Sequence, residues 1–167
     1  MDLHRFAPAH AAAVARWPVS LHEVVMWCGE REFPMTEQTI DGWQQGDDTE
    51  AYVLKEASGA QVLGYGELWI DAEEDEVELA RIIVARDLRG RGLGRALVRG
   101  LLARAIEAGF DGVFMRVHSD NNAALRCYRG AGFVPVEADL AATWNAVQPV
   151  SYIWLKHDPR QRSVIEP

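Results

Sequence analysis

The stretch ELARIIVARDLRGRGLG, residues 78–94, decides the fold because it runs from a strand pattern through a glycine-rich segment into the start of a helix pattern. Its first part alternates and then becomes continuously apolar through Val84, which predicts a strand that is covered on both faces at its end. The glycine-rich segment RGRGLG follows, and beyond it apolar residues recur every four positions from Leu93 to Ala105. That spacing predicts a helix reaching about Ala108. The stretch therefore predicts a strand, a tight glycine-rich turn and a helix.

The turn between this strand and this helix has the composition of an anion-binding loop. The glycines within residues 90–94 permit unusual backbone dihedral angles and close approach of a ligand. Free N–H groups at the start of a helix point at such a ligand, and the helix dipole favours negative charge there. Arg89, Arg91 and Arg95 are repelled by that dipole, so a phosphate-bearing ligand would offset the repulsion. The alternative is a tight connection with solvated arginines.

Motif spacing and charge limit which classes of ligand the loop could bind. The Walker A pattern needs a Lys that is missing here, and the dinucleotide fingerprint G-x-G-x-x-G fails because position 95 is Arg. Residues 86–104 hold six arginines and one acid, whereas the whole chain has a net charge of −8 and residues 71–78 hold six acids. This distribution favours a small polyanionic ligand and argues against binding to nucleic acid or to an anionic membrane surface.

The rest of the chain predicts helices first and strands later. Before residue 50 the sequence predicts a short strand through Phe6 and three helices, at 9–17, 20–27 and 36–45, with Ser20 and Thr36 as caps and 33–35 as a loop. Further on it predicts strands at 51–56, 61–70, 76–84, 112–118, 132–137 and 151–157, and a helix at 121–131. We therefore expect an α/β (α+β) fold: a mixed, mostly antiparallel sheet of about 6–7 strands with helices on both faces. We expect one domain over 1–158 and a frayed tail over 159–167.

Global features indicate a soluble cytoplasmic protein. No apolar run approaches the roughly 18–20 residues that span a membrane, and the N-terminus lacks the regions of a secretory signal. The two cysteines, Cys28 and Cys127, form neither a disulfide framework nor a metal-ligand pattern, so we expect no metal.

Two sequence blocks together resemble the GNAT superfamily of N-acetyltransferases. The first is R-x-x-G-x-G after ELARIIV, in which Arg89, Gly92 and Gly94 match the pyrophosphate loop of the family. The second is N-x-x-A-x-x-x-Y-x-x-x-G-F, matched by Asn121, Ala124, Tyr128, Gly132 and Phe133. The resemblance covers about residues 76–137 and implies the GNAT fold, in which two central strands splay apart.

The resemblance implies that acetyl-CoA is the acyl donor. The backbone of Ile82, Ile83 and Val84 would bind the pantetheine arm, in the gap left as the strand at 112–118 diverges from the strand at 76–84. The pyrophosphate would lie on the loop residues Arg89, Gly90, Arg91, Gly92, Leu93, Gly94 and Arg95. Asn121 would contact the cofactor beside the gap.

For catalysis, the resemblance assigns an acid and suggests a base. Tyr128 matches the acid position near the cofactor sulfur, and a phenol with a pKa near 10 can donate to a departing thiolate. The alternative is a tyrosine that packs its ring on the helix. Glu78 resembles the base of one branch of the family, with Glu76 and Glu67 as rivals, and any of them could be a solvated acid. A further departure from a known branch is Arg116, where protein N-terminal acetylating relatives often have Glu.

Two further residues are weaker candidates for a catalytic role. His118 could shuttle a proton, although a lone His at the end of a strand is more often structural. Cys127 is interpreted as a core residue rather than a nucleophile, because direct transfer needs no covalent intermediate.

The acceptor is a primary amine of a small molecule or peptide by the same resemblance. Trp27, Phe33 and Trp69 could line an apolar pocket for it, or pack in the core. A homodimer through the last strands is plausible. The alternative function is a non-catalytic acyl-CoA-binding sensor; the presence of Tyr128 and an upstream Glu favours the enzyme.

Overall fold

The structure, a computed structural model, describes residues 1–57 and 59–159. Within these residues seven strands form one sheet: β1 (Asp2–Arg5), β2 (Thr49–Lys55), β3 (Val62–Asp71), β4 (Glu76–Val84), β5 (Gly112–His118), β6 (Phe133–Pro135) and β7 (Tyr152–His157). The same residues include six α-helices: α1 (Ala11–Ala15), α2 (Leu21–Cys28), α3 (Glu37–Gly42), α4 (Leu93–Glu107), α5 (Asn122–Gly130) and α6 (Ala138–Asn145). Short 3-10 turns at Pro8–His10, Trp43–Gln45 and Arg86–Leu88 extend the connections.

The predicted helix caps are confirmed. The Ser20 hydroxyl accepts a hydrogen bond from the Glu23 N–H at 3.1 Å at the start of α2. The Thr36 hydroxyl accepts from the Thr39 N–H at 3.2 Å at the start of α3. Each cap satisfies one of the N–H groups that a helix leaves without an internal partner.

The sheet has the order β1-β2-β3-β4-β5-β7-β6. Only the central β4–β5 pair is parallel among these described strands, and the others are antiparallel. This confirms the predicted mixed, mostly antiparallel sheet. Helix α4 packs Leu97 and Leu101 on one face of the sheet, whereas α1 to α3 pack Val14, Val24 and Ile40 on the other. Helices therefore cover both faces, as predicted.

The central strands separate partway along. Strands β4 and β5 pair from Glu76–Gly112 to Glu78–Phe114 and no further, while β5 stays paired with β7 through His118. A β-bulge adds to the divergence, because Gly66 in β3 faces two residues of β4, Arg81 and Ile82. The bulge gives Arg81 a positive φ of 47°, which is uncommon for a residue with a side chain. The predicted splay of the central pair is therefore confirmed.

Two local features differ from the sequence expectations. Helix α6 follows β6, where the sequence pattern predicts no element; its first turn lacks a side-chain cap, so no start signal marks it. Strand β6 is shorter than the predicted 132–137 and ends at Pro135, which has no N–H for a ladder.

The expected tail at 159–167 lies outside the described residues apart from Pro159, and the predicted turn at 58–60 includes the undescribed Ser58. Within the described part of the chain, no helix is both long and apolar enough to cross a membrane.

Candidate active site

A cavity of about 150 Å³ occupies the gap between the splayed strands. Strands β4 and β5 form its walls, helix α2 closes one side, and the start of α5 closes another. Its lining includes Trp27, Trp69, Glu78, Arg81, Ile82, Arg116, His118, Asn121 and Tyr128. The cavity thus brings together most of the catalytic and acceptor residues predicted from the sequence.

The phosphate loop has the backbone geometry that its glycines predict. Gly90 and Gly92 adopt left-handed φ angles of 76° and 81°, which cost a residue with a side chain about 1–2 kcal/mol. Gly92 caps α4 without a side-chain hydrogen bond, so the first N–H groups of α4 have no partner among the described residues at this end. A Cβ at Gly94 would lie 3.1 Å from Cys127 Sγ, so this glycine lets α4 approach α5 closely. The loop can therefore offer free backbone donors to an anion.

The three arginines of the loop differ in their contacts. The Arg89 guanidinium pairs with Glu23 at 2.6 Å and donates to the carbonyls of Val84 and Trp17 at 3.2 and 3.1 Å. This side chain braces the loop against α2 and the end of β4. Arg91 and Arg95 are exposed and make no hydrogen bond or ion pair with the described residues. Two of the three cations are thus available to an anionic ligand.

Tyr128 lies on α5 and faces the cavity. It is 8% exposed, and its hydroxyl makes no hydrogen bond within the described residues. Burial raises the pKa of Tyr128 above its usual value, with the nearby Cys127 adding to the shift. The phenol therefore stays protonated across the physiological range. Asn121 begins α5, where its Oδ1 accepts from the Ala124 N–H at 3.2 Å and holds Asn121 at the cavity wall.

Alkaline pH is expected to destabilise the fold through groups that are buried in protonated form. Burial raises the pKa of Cys28 to about 11 and raises the pKa of Tyr65 and Tyr128 further above the ordinary phenol value. Above about pH 9 these groups ionise in the unfolded chain but stay protonated in the folded protein, so the unfolded chain binds fewer protons. The free energy of unfolding therefore falls as pH rises. Each group that is ionised in the unfolded chain and protonated in the folded protein lowers it by about 1.4 kcal/mol per pH unit. Urea unfolding at pH 8 to 11 measures this slope. A flat profile over that range would contradict the burial of these groups.

Glu78 is held in a two-pronged ion pair. Arg116 Nε donates to Glu78 Oε1 at 2.6 Å and Arg116 Nη2 to Oε2 at 2.7 Å. Arg116 Nη1 donates to Gln148 at 2.9 Å, and its guanidinium lies 4.7 Å from the Trp154 ring centroid. Both carboxylate oxygens thus face a guanidinium, and each keeps a lone pair for a water or an amine. Sequence reasoning noted Arg116 as a departure but missed this pairing.

The two rival acids lie elsewhere. Glu67 is fully buried and accepts from the Tyr65 hydroxyl, from Trp69 Nε1 at 2.5 Å and from Arg81 Nη1 at 3.2 Å. It does not line the cavity. Glu76 lies at the far end of β4, beside a separate aromatic cleft. Of the three acids, Glu78 alone shares the cavity with Tyr128. The Glu67–Arg81 cluster was not foreseen from the sequence.

The predicted acceptor residues are only partly brought together. Trp27 and Trp69 line the cavity, whereas Phe33 does not line it and is 45% exposed. His118 lines the cavity, and its Nδ1 accepts from the Asp120 N–H at 3.2 Å, so the neutral ring carries its proton on Nε2. Burial raises the pKa of the Cys127 thiol, and Cys127 does not line the cavity. No group of three metal-ligating side chains occurs in the parts of the chain that the structure describes.

Comparison with known proteins gives both family and structural matches. The model of the acetyltransferase (GNAT) family matches residues 19–133. Mycothiol acetyltransferase of Nocardia farcinica is 34% identical over 91 residues, which are 53% of this chain and 30% of that protein. The same enzyme of Jonesia denitrificans is 30% identical over 105 residues, 62% of this chain and 31% of that protein. The chain thus spans less than a third of the length of these relatives.

Solved structures resemble the whole chain. AAC(6')-Ib in complex with ribostamycin and coenzyme A has a TM-score of 0.76 at 17% identity, covering 99% of this chain and 97% of that one. Spermidine N-acetyltransferase from Vibrio cholerae in complex with CoA and spermine has a TM-score of 0.68 at 16% identity, covering 93% and 92%. At these identities the similarity shows a shared fold.

Proposed function

The chain belongs to the acetyltransferase (GNAT) family, as its motifs predicted, and from this premise we propose that it transfers an acetyl group from acetyl-CoA to a primary amine of a small molecule or peptide. The observation that carries the proposal is the cavity between β4 and β5, which is lined by both Tyr128 and Glu78. Transfer is direct, with no covalent intermediate on the protein.

The chain's own groups fit acetyl-CoA. The loop offers the unpaired N–H groups at the start of α4, together with Arg91 and Arg95, to the pyrophosphate. Beyond Glu78 the backbone edge of β4 is no longer paired with β5, so Ile82 to Val84 can hydrogen-bond the pantetheine amides as a neighbouring strand would. Arg89 acts by holding the loop in shape, and Asn121 lines the far wall. Bound acetyl-CoA supplies the activated thioester.

Three protons have to move during transfer: the ammonium loses one before attack and a second as the amide forms, and the departing sulfur gains one. An alkylamine is mostly protonated at pH 7, so its proton must leave before it can attack. We propose that Glu78, directly or through a water, accepts this proton on a lone pair that Arg116 leaves open. Tyr128, which burial keeps protonated, donates its phenolic proton to the departing sulfur. The phenolate then regains a proton from the nitrogen of the tetrahedral intermediate, directly or through a water, and the proton on Glu78 passes to solvent. The two residues thus act in opposite directions across one cavity.

Location and assembly are proposed on chemical grounds. Cys28 and Cys127 are free thiols, which suits a reducing cytoplasm, and the net charge of −8 disfavours nucleic acid as a partner. A homodimer through β6 and β7 at the edge of the sheet is part of the proposal.

The proposed activity is tested by release of free thiol from acetyl-CoA in the presence of amines, amino acids, polyamines, aminoglycosides and short peptides. We expect release that depends on one class of acceptor. Binding of acetyl-CoA is measured on the same samples by calorimetry. Binding without any release would contradict the enzyme proposal and favour a sensor of acyl-CoA.

Two glycines with similar backbone angles, one inside the phosphate loop and one outside it, provide a test of whether the loop binds acetyl-CoA. Gly92 in the loop and Gly109 after α4 have φ angles of 81° and 94°, and a Cβ at either would meet no atom within 4 Å. Alanine at either position is expected to lower the free energy of unfolding by about 1–2 kcal/mol, because both force a side chain into a left-handed conformation.

Only Gly92→Ala is expected to weaken acetyl-CoA binding as well, by about tenfold or more, since its Cβ stands where the backbone meets the pyrophosphate. Urea unfolding and calorimetric titration of both variants measure the two effects. Equal losses of acetyl-CoA affinity in Gly92→Ala and Gly109→Ala would show that the loop does not contact the cofactor.

A further inference from the structure

Arg81 lines the cavity and has hydrogen-bond donors that no described residue uses. It stands on the bulge of β4 and lines the cavity, with its Nη1 donating to Glu67 at 3.2 Å. Its Nε is buried and has no hydrogen-bond partner, and its Nη2 makes no hydrogen bond within the described residues. The guanidinium lies 3.9 Å from the Trp43 ring centroid and 5.0 Å from that of Trp69. The two indoles fix its plane.

Arg116 shows what the Nε–Nη2 edge of an arginine can bind in the same cavity. Its Nε and Nη2 donate in parallel to both oxygens of Glu78, at 2.6 and 2.7 Å. This is the two-pronged geometry in which arginine matches a carboxylate. Arg81 presents the same pair of atoms with no carboxylate opposite them. A buried donor without an acceptor is destabilising, and a ligand oxyanion would offset that cost.

A second buried donor lies near Arg81. Trp27 Nε1 also has no hydrogen-bond partner in the described part of the chain, and Trp27 lines the same cavity. Both side chains contact Trp43, since the Trp27 and Trp43 ring centroids are 5.5 Å apart. The remaining unpaired buried side-chain atom among the described residues, Asp41 Oδ1, belongs to a residue outside the cavity lining. Arg81 Nε and Trp27 Nε1 are thus two donors, on cavity-lining residues, that lack an acceptor among the described residues.

The ion pairs of the acids in and behind the cavity wall disfavour a polycation as the ligand. Glu78, the one acid in the cavity lining, is paired with Arg116, and Glu67, buried outside the lining, is paired with Arg81. A polyamine would have to displace these pairs, because its charges need carboxylates of their own when they leave water. The cavity volume of about 150 Å³ suits the head of a small molecule.

We propose that the acceptor is an amine that also carries a carboxylate, as an α-amino acid does, and that Arg81 binds this carboxylate through its Nε–Nη2 edge. The inference rests on the proposed function, since it names the substrate class of the same site. The amine then lies toward Glu78 and Tyr128, while the carboxylate lies toward Arg81 and Trp27. The cavity lining carries one acid, Glu78, and two arginines, Arg81 and Arg116, so its charges suit a ligand that carries a carboxylate beside its amine.

A matched set of acceptors tests the proposal: L-phenylalanine, L-phenylalaninamide and 2-phenylethylamine, with the leucine series beside it. The wild-type protein is expected to show a kcat/KM about tenfold or more higher for the amino acid than for its amide, because the amide leaves the arginine edge poorly paired. Arg81→Lys keeps a cation beside Glu67 and therefore the fold, but lacks the planar fork. We expect it to raise KM for the amino acid about tenfold and leave kcat/KM for the amide nearly unchanged. Arg99→Lys, at an exposed position of α4, is the control and should change neither.

Binding without turnover separates this proposal from the proposed function. N-acetyl-L-phenylalanine and its amide are titrated into the protein in the presence of CoA. Tighter binding of the acid, lost in Arg81→Lys, supports the carboxylate site even if no acceptor releases thiol, in which case the proposed function alone fails. Equal binding of the acid and the amide by the wild type would overturn the proposal. A uniform fall in kcat for every acceptor in Arg81→Lys would also overturn it, because Arg81 would then act on the acyl group.

Discussion

Replacement of Tyr128 by phenylalanine is expected to lower kcat about a hundredfold and to leave acetyl-CoA binding unchanged. The change removes one oxygen atom from a ring that is 8% exposed and packed in the hydrophobic core, in the last turn of α5. Because burial raises the pKa of the phenol, the wild-type hydroxyl carries its proton throughout the assay range. A departing thiolate in the cavity then has a proton donor in the wild type and none in the variant. Initial rates of thiol release from pH 6 to pH 10, with calorimetric titration of acetyl-CoA, measure both quantities.

A second tyrosine provides the control. Tyr152 on β7 also lines the cavity, and its ring lies edge-on to His118 and 5.6 Å from the Arg116 guanidinium. Tyr152→Phe is expected to change kcat less than about threefold, since the proposed transfer uses no proton from it. Similar losses in the two variants, or no loss in Tyr128→Phe, would show that the proton reaches the sulfur from water or from another group.

The features that the sequence predicts well are those encoded within a few consecutive residues. The left-handed angles of Gly90 and Gly92, the caps at Ser20 and Thr36 and the four-residue spacing along α4 depend on local chemistry. The splayed strand pair was predicted from the family resemblance rather than from the residues of either strand. Local chemistry therefore locates the loop and most of the secondary structure.

The features that it misses join residues far apart in the chain. Arg89 and Trp17 are separated by 72 positions, and Arg116 and Glu78 by 38. The sequence shows that Arg89 and Arg116 are cations, but only the fold shows which residues of the chain each of them contacts. The bulge that turns Arg81 into the cavity wall depends on how many β4 residues face Gly66, which is a property of strand pairing. The site chemistry therefore rests on contacts that no single segment specifies.

Replacement of Glu67 by alanine is expected to be among the most destabilising single changes in the sheet, at about 3–5 kcal/mol. Glu67 is fully buried and accepts hydrogen bonds from Tyr65, Trp69 and Arg81. Without it, the Arg81 cation, whose side chain is 17% exposed, loses its counter-charge in a site with little water. The hydroxyl of Tyr65 and the indole N–H of Trp69 lose their acceptor at the same time. Urea unfolding at pH 7 measures the loss as a lower midpoint with an unchanged slope.

Two further variants separate the charge from the hydrogen bonds. Glu67→Gln keeps one acceptor oxygen but no charge, and is expected to cost about 1–3 kcal/mol. Glu74→Ala, at an exposed acid whose side chain makes no contact of this kind, should change stability by less than about 0.5 kcal/mol. The double variant Glu67→Ala with Arg81→Met is expected to recover part of the loss, because it removes the unpaired cation as well. If Glu67→Ala alone were as stable as Glu74→Ala, the buried pair would not be what holds Arg81 at the cavity wall, and the two indoles that flank its guanidinium would have to hold it instead.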